Sequence, residues 1–200
     1  MSSLGIMAKN RHPNDKHPIG RIRITGGSHR SRLVNVASQN DLRPTGSRIR
    51  ETLFNWLGPD IYGMKVLDLY AGSGILSFEA LSRGAKRATF VDNSALVIKQ
   101  LKSNCEQLKF TQVHFFQQTA KQFSTNNHAT YDLVFVDPPF AGDELDAIDV
   151  IIQNLTDKGS FIYREFPKQQ TPEPLNNAFF ERLKHKQAGQ VCFELWQRYE

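Results

Sequence analysis

The spacing of apolar residues changes period along the chain, and each period predicts a different element. Arg21 to Ile24 reads R-I-R-I, a period of two that predicts a short strand with one charged face. Gly26-Gly27 marks a turn, and Arg32–Val36 can return as a second strand. Past Arg43-Pro44-Thr45 the period lengthens. Ile49, Leu53, Trp56 and Leu57 fall at i, i+4, i+7 and i+8, the apolar face of a helix over about 47–57. Thr45 is its expected N-cap, and Gly58-Pro59 stops it.

From Lys65 onward short apolar runs alternate with helical stretches. Strands are expected at Val66–Tyr70, Ala88–Val91, Val113–Phe116, Tyr131–Val136 and Ser160–Glu165. Helices are expected at Ile75–Ser82, Ala95–Leu108 and about 144–155, and two closing strands near 178–184 and 190–198 form a terminal hairpin. Tyr131–Val136, Y-D-L-V-F-V, is almost continuously apolar, as in a strand covered on both faces. Such alternation predicts an α/β fold with a doubly wound, mainly parallel sheet. Three segments are expected: a flexible basic arm over 1–20, a hairpin-like extension over 21–45, and the main domain over 46–200.

Composition fits one domain of 200 residues, with 40% hydrophobic and 22% charged positions. Charge changes the picture more. The net is +5, yet the first 50 residues hold eight arginines, two lysines and only two acids. A solvated tail is the plain reading, but solubility does not require arginine over lysine, whereas guanidinium forks match phosphate. Arg21, Arg23, Arg30, Arg32, Arg43, Arg48 and Arg50 are therefore the candidate contacts to RNA or DNA. Two cysteines without C-x-x-C or a histidine cluster point to neither a metal site nor disulfides. No secretory signal or long apolar run is evident, which points to the cytoplasm and away from membranes.

The chemistry sits at two predicted strand ends. Asp68 to Gly74, D-L-Y-A-G-S-G, leaves the first strand of the main domain and opens a helix. Gly72 and Gly74 permit a tight turn and close ligand approach to bare backbone. Asp92, at the end of the next strand, can hold a ribose diol. An acid at Asp68 suits a cationic ligand better than a pyrophosphate, and S-adenosylmethionine fits: a sulfonium, an amino group and a ribose. A glycine turn that only packs strand on helix is the plain alternative.

Asp137 to Phe140, D-P-P-F, follows the buried strand. Prolines stiffen the loop and lack N–H groups. An exocyclic base amine is a poor nucleophile because its lone pair is delocalised into the ring. Accepting its two N–H groups on the Asp137 carboxylate and the Pro138 carbonyl favours a pyramidal nitrogen aimed at the methyl. Pro139 fixes the loop, and Phe140 offers a stacking face, worth about 1–3 kcal/mol per base. In open α/β sheets both strand ends line one crevice.

R-I-T-G-G-S-H-R-S-R-L, L-R-P-T-G-S-R-I-R-E-T-L-F-N-W-L, the glycine motif and V-F-V-D-P-P-F together resemble the bacterial RsmD family, small-subunit rRNA guanine-N2 methyltransferases. The likeness runs from about Arg21 to the C-terminus, and the arginine-rich helix block is its most specific part; there Arg43, Thr45, Arg50 and Glu51 match the family pattern, which implies that members of this set, Thr45 included, border the RNA site. It implies a Rossmann-like class I methyltransferase fold with a seven-stranded sheet. It further implies methylation of one guanine amine in 16S rRNA, on the 30S subunit or a late assembly particle. Carried over, Asp68, Tyr70, Gly72 and Gly74 surround the methionine end of S-adenosylmethionine, Asp92 and Asn93 the ribose, and Thr119-Ala120 the adenine. S-adenosylhomocysteine would be the product. The family pattern carries an aromatic and a glycine where this chain has His29 and Ser31. A monomer is expected. Two competing readings are a DNA adenine or cytosine amino-methyltransferase, disfavoured by the lack of length for a target-recognition domain, and a non-catalytic RNA-binding assembly factor.

Overall fold

A computed structural model describes residues 20–36, 46–138, 148–170 and 172–200. Two strands open the chain, β1 (Gly20–Arg23) and β2 (Leu33–Val36), paired antiparallel with Ile22 opposite Val34. The connection is longer than a glycine-glycine hairpin. Its backbone bends through Ser31 at φ 69°, a left-handed conformation that explains why glycine suits this position in the family pattern. The His29 ring packs on Phe110 at 4.3 Å between centroids, taking the place of an aromatic. The extension is no loose appendage, because Ile24 and Val34 are buried in one cluster with Phe78, Phe90 and Leu101.

Helix α1 (Ser47–Leu57) follows, buried through Ile49, Leu53, Phe54 and Leu57. Its N-cap is Gly46, with no side-chain cap bond, so the expected Thr45 cap is corrected; Thr45 itself lies outside the described residues. Trp56 stacks on Phe193 at 5.2 Å, against the core.

The main sheet has seven strands. They are β3 (Lys65–Asp68), β4 (Arg87–Asp92), β5 (Val113–Gln117), β6 (Tyr131–Val136), β7 (Thr156–Pro167), β8 (Phe180–Ala188) and β9 (Val191–Arg198). The helices between them are α2 (Ile75–Ser82), α3 (Ala95–Leu108), α4 (Ala120–Asn126) and α5 (Ile148–Leu155). Sheet order is β5-β4-β3-β6-β7-β9-β8, with β9 antiparallel to both β7 and β8. The chain reverses its direction of travel between β3 and β6, which places a switch point there.

Two apolar layers sandwich the sheet. Leu67, Val134, Val136 and Ile162 face α4 and α5, while Val66, Leu133, Phe135 and Tyr163 face α1 and α2. The predicted parallel sheet and terminal hairpin are present. Sequence reading missed α4, started β7 at Ser160 where it begins at Thr156, and ended it at Glu165 where it runs to Pro167. Among the described residues no helix is long and apolar enough to cross a membrane.

Candidate functional site

β3, β6 and β7 lie side by side and parallel, so their carboxyl ends share one rim. Asp68 sits one residue past Leu67 on β3, opposite Phe135 of β6, and Asp137 follows β6 directly. The glycine turn and the Asp137-Pro138 segment therefore leave the same end of neighbouring strands.

Asp68 is buried and accepts the Ser77 hydroxyl of α2 at 3.1 Å. Burial, reinforced by repulsion from Asp92, pushes its carboxyl up to about 8, against the Ser77 bond. Folding thus takes up a proton at Asp68 that the unfolded chain releases, so this group's contribution to stability falls as pH rises from 3.8 to about 8. Asp137 is half-buried. Desolvation and the neighbouring carboxylates Glu165 and Asp68 hold it well above the usual carboxylate range.

Asp92 closes the glycine turn. Its two oxygens accept the N–H groups of Gly72 (3.0 Å) and Ser94 (2.9 Å). Gly74 turns left-handed at φ 71°, and a Cβ there would stand 2.4 Å from Leu101 Cδ2 and 2.9 Å from Phe78 Cε2. Any side chain at 74 would both strain the turn and displace the core behind it. Tyr70 is half-buried against the α4–α5 layer, and Asn93 is exposed beside Asp92. The Thr119 side chain is committed to a capping box, accepting Gln122 N–H at 3.2 Å while Gln122 Oε1 accepts Thr119 N–H at 3.1 Å. Ala120 is buried behind it.

Arg21, Arg23, Arg30, Arg32 and Arg48 are exposed. The first three line an open groove of roughly 590 Å³ between the extension and the start of α1. Arg50 departs from the expectation. It is 2% exposed, its Nε 3.3 Å from Glu79 Oε1 and its Nη2 donating to the Arg23 carbonyl at 2.8 Å. A guanidinium so placed holds the extension to α2 and, though it lines the same groove, leaves little surface for a phosphate. Glu79, wholly buried, also accepts the N–H groups of Thr25 (2.6 Å) and Gly26 (3.3 Å) and pairs with Arg83 at 3.4 Å. Sequence reading missed Glu79 and Glu165. The readable signal for Glu79 was an acid inside an otherwise apolar helix, I-L-S-F-E-A-L.

Arg43, Pro139 and Phe140 lie outside the described residues. Among the described residues no cluster of three metal-ligating side chains forms.

A family model described as "Conserved hypothetical protein 95" matches residues 22–197. The chain is 40% identical to the ribosomal RNA small subunit methyltransferase D of Haemophilus influenzae, over 96% of this chain and 100% of that one. It is also 40% identical to the protein of that name from Escherichia coli K12, over 90% and 91% of the two chains. Among solved structures, a putative methyltransferase yhhF from Escherichia coli superposes with a TM-score of 0.83 at 35% identity, over 90% of this chain and 99% of that one. The match in sequence and fold along nearly the whole length shows that the chain belongs to the RsmD family, on the class I methyltransferase fold.

Proposed function

We propose that this protein transfers a methyl group from S-adenosylmethionine to the exocyclic N2 amine of one guanine in 16S rRNA, acting on the 30S subunit or a late assembly particle. The observation that carries this reading is the meeting of the glycine turn and the Asp137-Pro138 segment at adjacent strand ends. The names of the relatives, small-subunit rRNA methyltransferases, support the substrate class. The reading takes the protein as a cytoplasmic monomer.

The residues present fit S-adenosylmethionine. A buried acid at Asp68 suits a cation, the left-handed turn through Gly72 and Gly74 leaves no side chain at Gly72 to bar close approach, and Asp92 with Asn93 at the end of β4 suits a ribose diol. Tyr70 flanks the methionine end, and Thr119-Ala120 stands on the adenine side, by backbone because the Thr119 hydroxyl caps α4. Bound there, the donor supplies an electrophilic methyl on a positive sulfur. Asp137 and the Pro138 carbonyl accept the two amine hydrogens and orient the nitrogen's lone pair, interactions strongest in the transition state. Pro139 stiffens the loop and Phe140 stacks on the extruded base. Arg21, Arg23, Arg30, Arg32 and Arg48 hold the RNA backbone, and Arg43 and Thr45 belong to the same block by the family pattern.

Incubation with methyl-labelled S-adenosylmethionine and undermethylated 30S particles tests the reading, with nucleoside mass spectrometry as readout. N2-methylguanosine is expected; N6-methyladenosine, a methylated cytosine amine or no transfer would refute it.

Two further outcomes follow from the site. A cation beside Asp68 favours the ionised carboxylate, so S-adenosylmethionine binding at pH 7 should release a proton, and affinity should rise with pH up to about 8. Calorimetry in buffers of different ionisation heat measures this; release that persists in Asp68→Asn would detach the effect from this residue. Replacing Arg21, Arg23, Arg30 and Arg32 together by alanine should weaken rRNA binding and flatten its salt dependence, each lost phosphate contact lowering the log–log slope by roughly 0.7–0.9. An unchanged slope in filter binding would remove these arginines from the RNA surface.

A further inference from the structure

We infer that Glu165 is a positioning residue for methyl transfer: it stands beside Asp137 as a second carboxylate, and the two act as one acid pair that takes up the proton leaving the amine. The inference rests on the proposed amine methylation and adds a residue outside the D-P-P-F motif.

Strand register supplies the geometry. β6 and β7 are parallel with Phe135 opposite Tyr163 and Val136 opposite Arg164, so the next rung sets Asp137 beside Glu165. Two rungs back, the Phe135 and Tyr163 rings meet edge to face at 6.1 Å, which fixes them on one face of the sheet. By alternation Asp137 and Glu165 share that face. Glu165 is 5% exposed, and the Tyr163 hydroxyl donates to its Oε1 at 2.7 Å. Among the described residues, the groups around the pair are Asp68 from β3, Tyr163 from β7 and Arg50 from α1. Arg50 acts on Glu165 electrostatically and also hydrogen-bonds Glu79 and the Arg23 carbonyl. Two neighbouring carboxyls, with Glu165 buried and Asp68 close by, cannot both ionise cheaply, so the pair retains a proton that either member can hold.

The chemistry needs such a pair. As the amine nitrogen's electron pair forms the N–C bond, the C–S bond breaks and its pair passes to sulfur. The nitrogen is left with one proton too many. With the retained proton on Glu165, Asp137 is ionised, accepts the amine hydrogens and takes that proton. The pair then returns one proton to water. Alone, Asp137 would be a weaker acceptor near neutral pH, because an ordinary carboxylate is a poor base there.

Carbon-13 NMR of protein labelled at Asp and Glu carboxyls tests this without donor or RNA. In the wild-type protein the Asp137 and Glu165 resonances should titrate together, each in the same two steps. Independent single-step titrations would overturn the inference on their own. Glu165→Gln keeps the acceptor for Tyr163 and removes the charge. It should collapse the Asp137 titration to one step, lower than the upper wild-type step by roughly one pH unit or more. The acid limb of single-turnover methylation should move with it, and Glu165→Asp should restore the paired titration. Coincident wild-type and Glu165→Gln curves would leave Glu165 a packing residue. Failure of the wild-type protein to methylate guanine would strike the proposed function while leaving the titration result in force.

Discussion

Replacing Asp137 by alanine is expected to cut methyl transfer by roughly a hundred- to ten-thousand-fold while rRNA affinity and donor affinity stay near those of the wild type. The reason lies in what Asp137 touches. It follows β6 at the rim with Asp68 and Glu165 as charged neighbours, and it is not among the residues that line the arginine groove. Substrate held by the arginines still binds, but the amine loses the acceptor that turns its lone pair toward the methyl. Asparagine retains a carbonyl acceptor and loses the charge, so it should fall between alanine and wild type. Single-turnover methylation of undermethylated 30S particles, with binding measured on the same variants, separates the two effects. Full activity in Asp137→Ala would remove this residue from the chemistry.

Glu79→Ala is expected to lower stability by about 3–5 kcal/mol, a large share of a typical total of about 5–15 kcal/mol. Glu79 is wholly buried and joins three parts of the molecule: the extension through Thr25 and Gly26, α1 through Arg50, and α2 through its own backbone and Arg83. Its removal takes from Arg50, at 2% exposure, the carboxylate to which its Nε donates. It also leaves two backbone N–H groups without their acceptor. The double change Glu79→Leu with Arg50→Met removes both charges and should be milder than either single truncation. Denaturant unfolding measures the first effect, and limited proteolysis near residues 24–28 reports release of the extension. A Glu79→Ala protein within about 1 kcal/mol of wild type would show that the buried pair does not hold the extension.

Much of the fold was legible because the pattern and the packing agree. Y-D-L-V-F-V reads as a doubly covered strand and becomes β6, with Leu133, Val134, Phe135 and Val136 wholly buried between two helical layers. The rim was legible too, since glycines after one strand and prolines after another mark loops at strand ends. What escaped depended on contacts distant in sequence. Helix α4 has seven residues and a single strong signal, T-x-x-Q at Thr119–Gln122, which also suited a ligand contact. The first residues of β7, Thr156 to Gly159, carry no apolar alternation and pair only because Tyr131 lies opposite Thr156. Arg50 stands in an arginine-rich block, and only the fold shows that its partner is an acid 29 residues away in α2. Glu165 lies in an unremarkable Y-R-E-F, and parallel register alone brings it beside Asp137.

The claim on which the rest depends is that donor and acceptor loops open into one crevice at the switch between β3 and β6. A crystal structure with S-adenosylhomocysteine tests it most directly. The expected result has the ligand's sulfur over the Gly72–Gly74 turn, its ribose at Asp92, and an open path from sulfur to the Asp137 carboxylate. A ligand bound elsewhere, or one whose sulfur is walled off from Asp137, would contradict it.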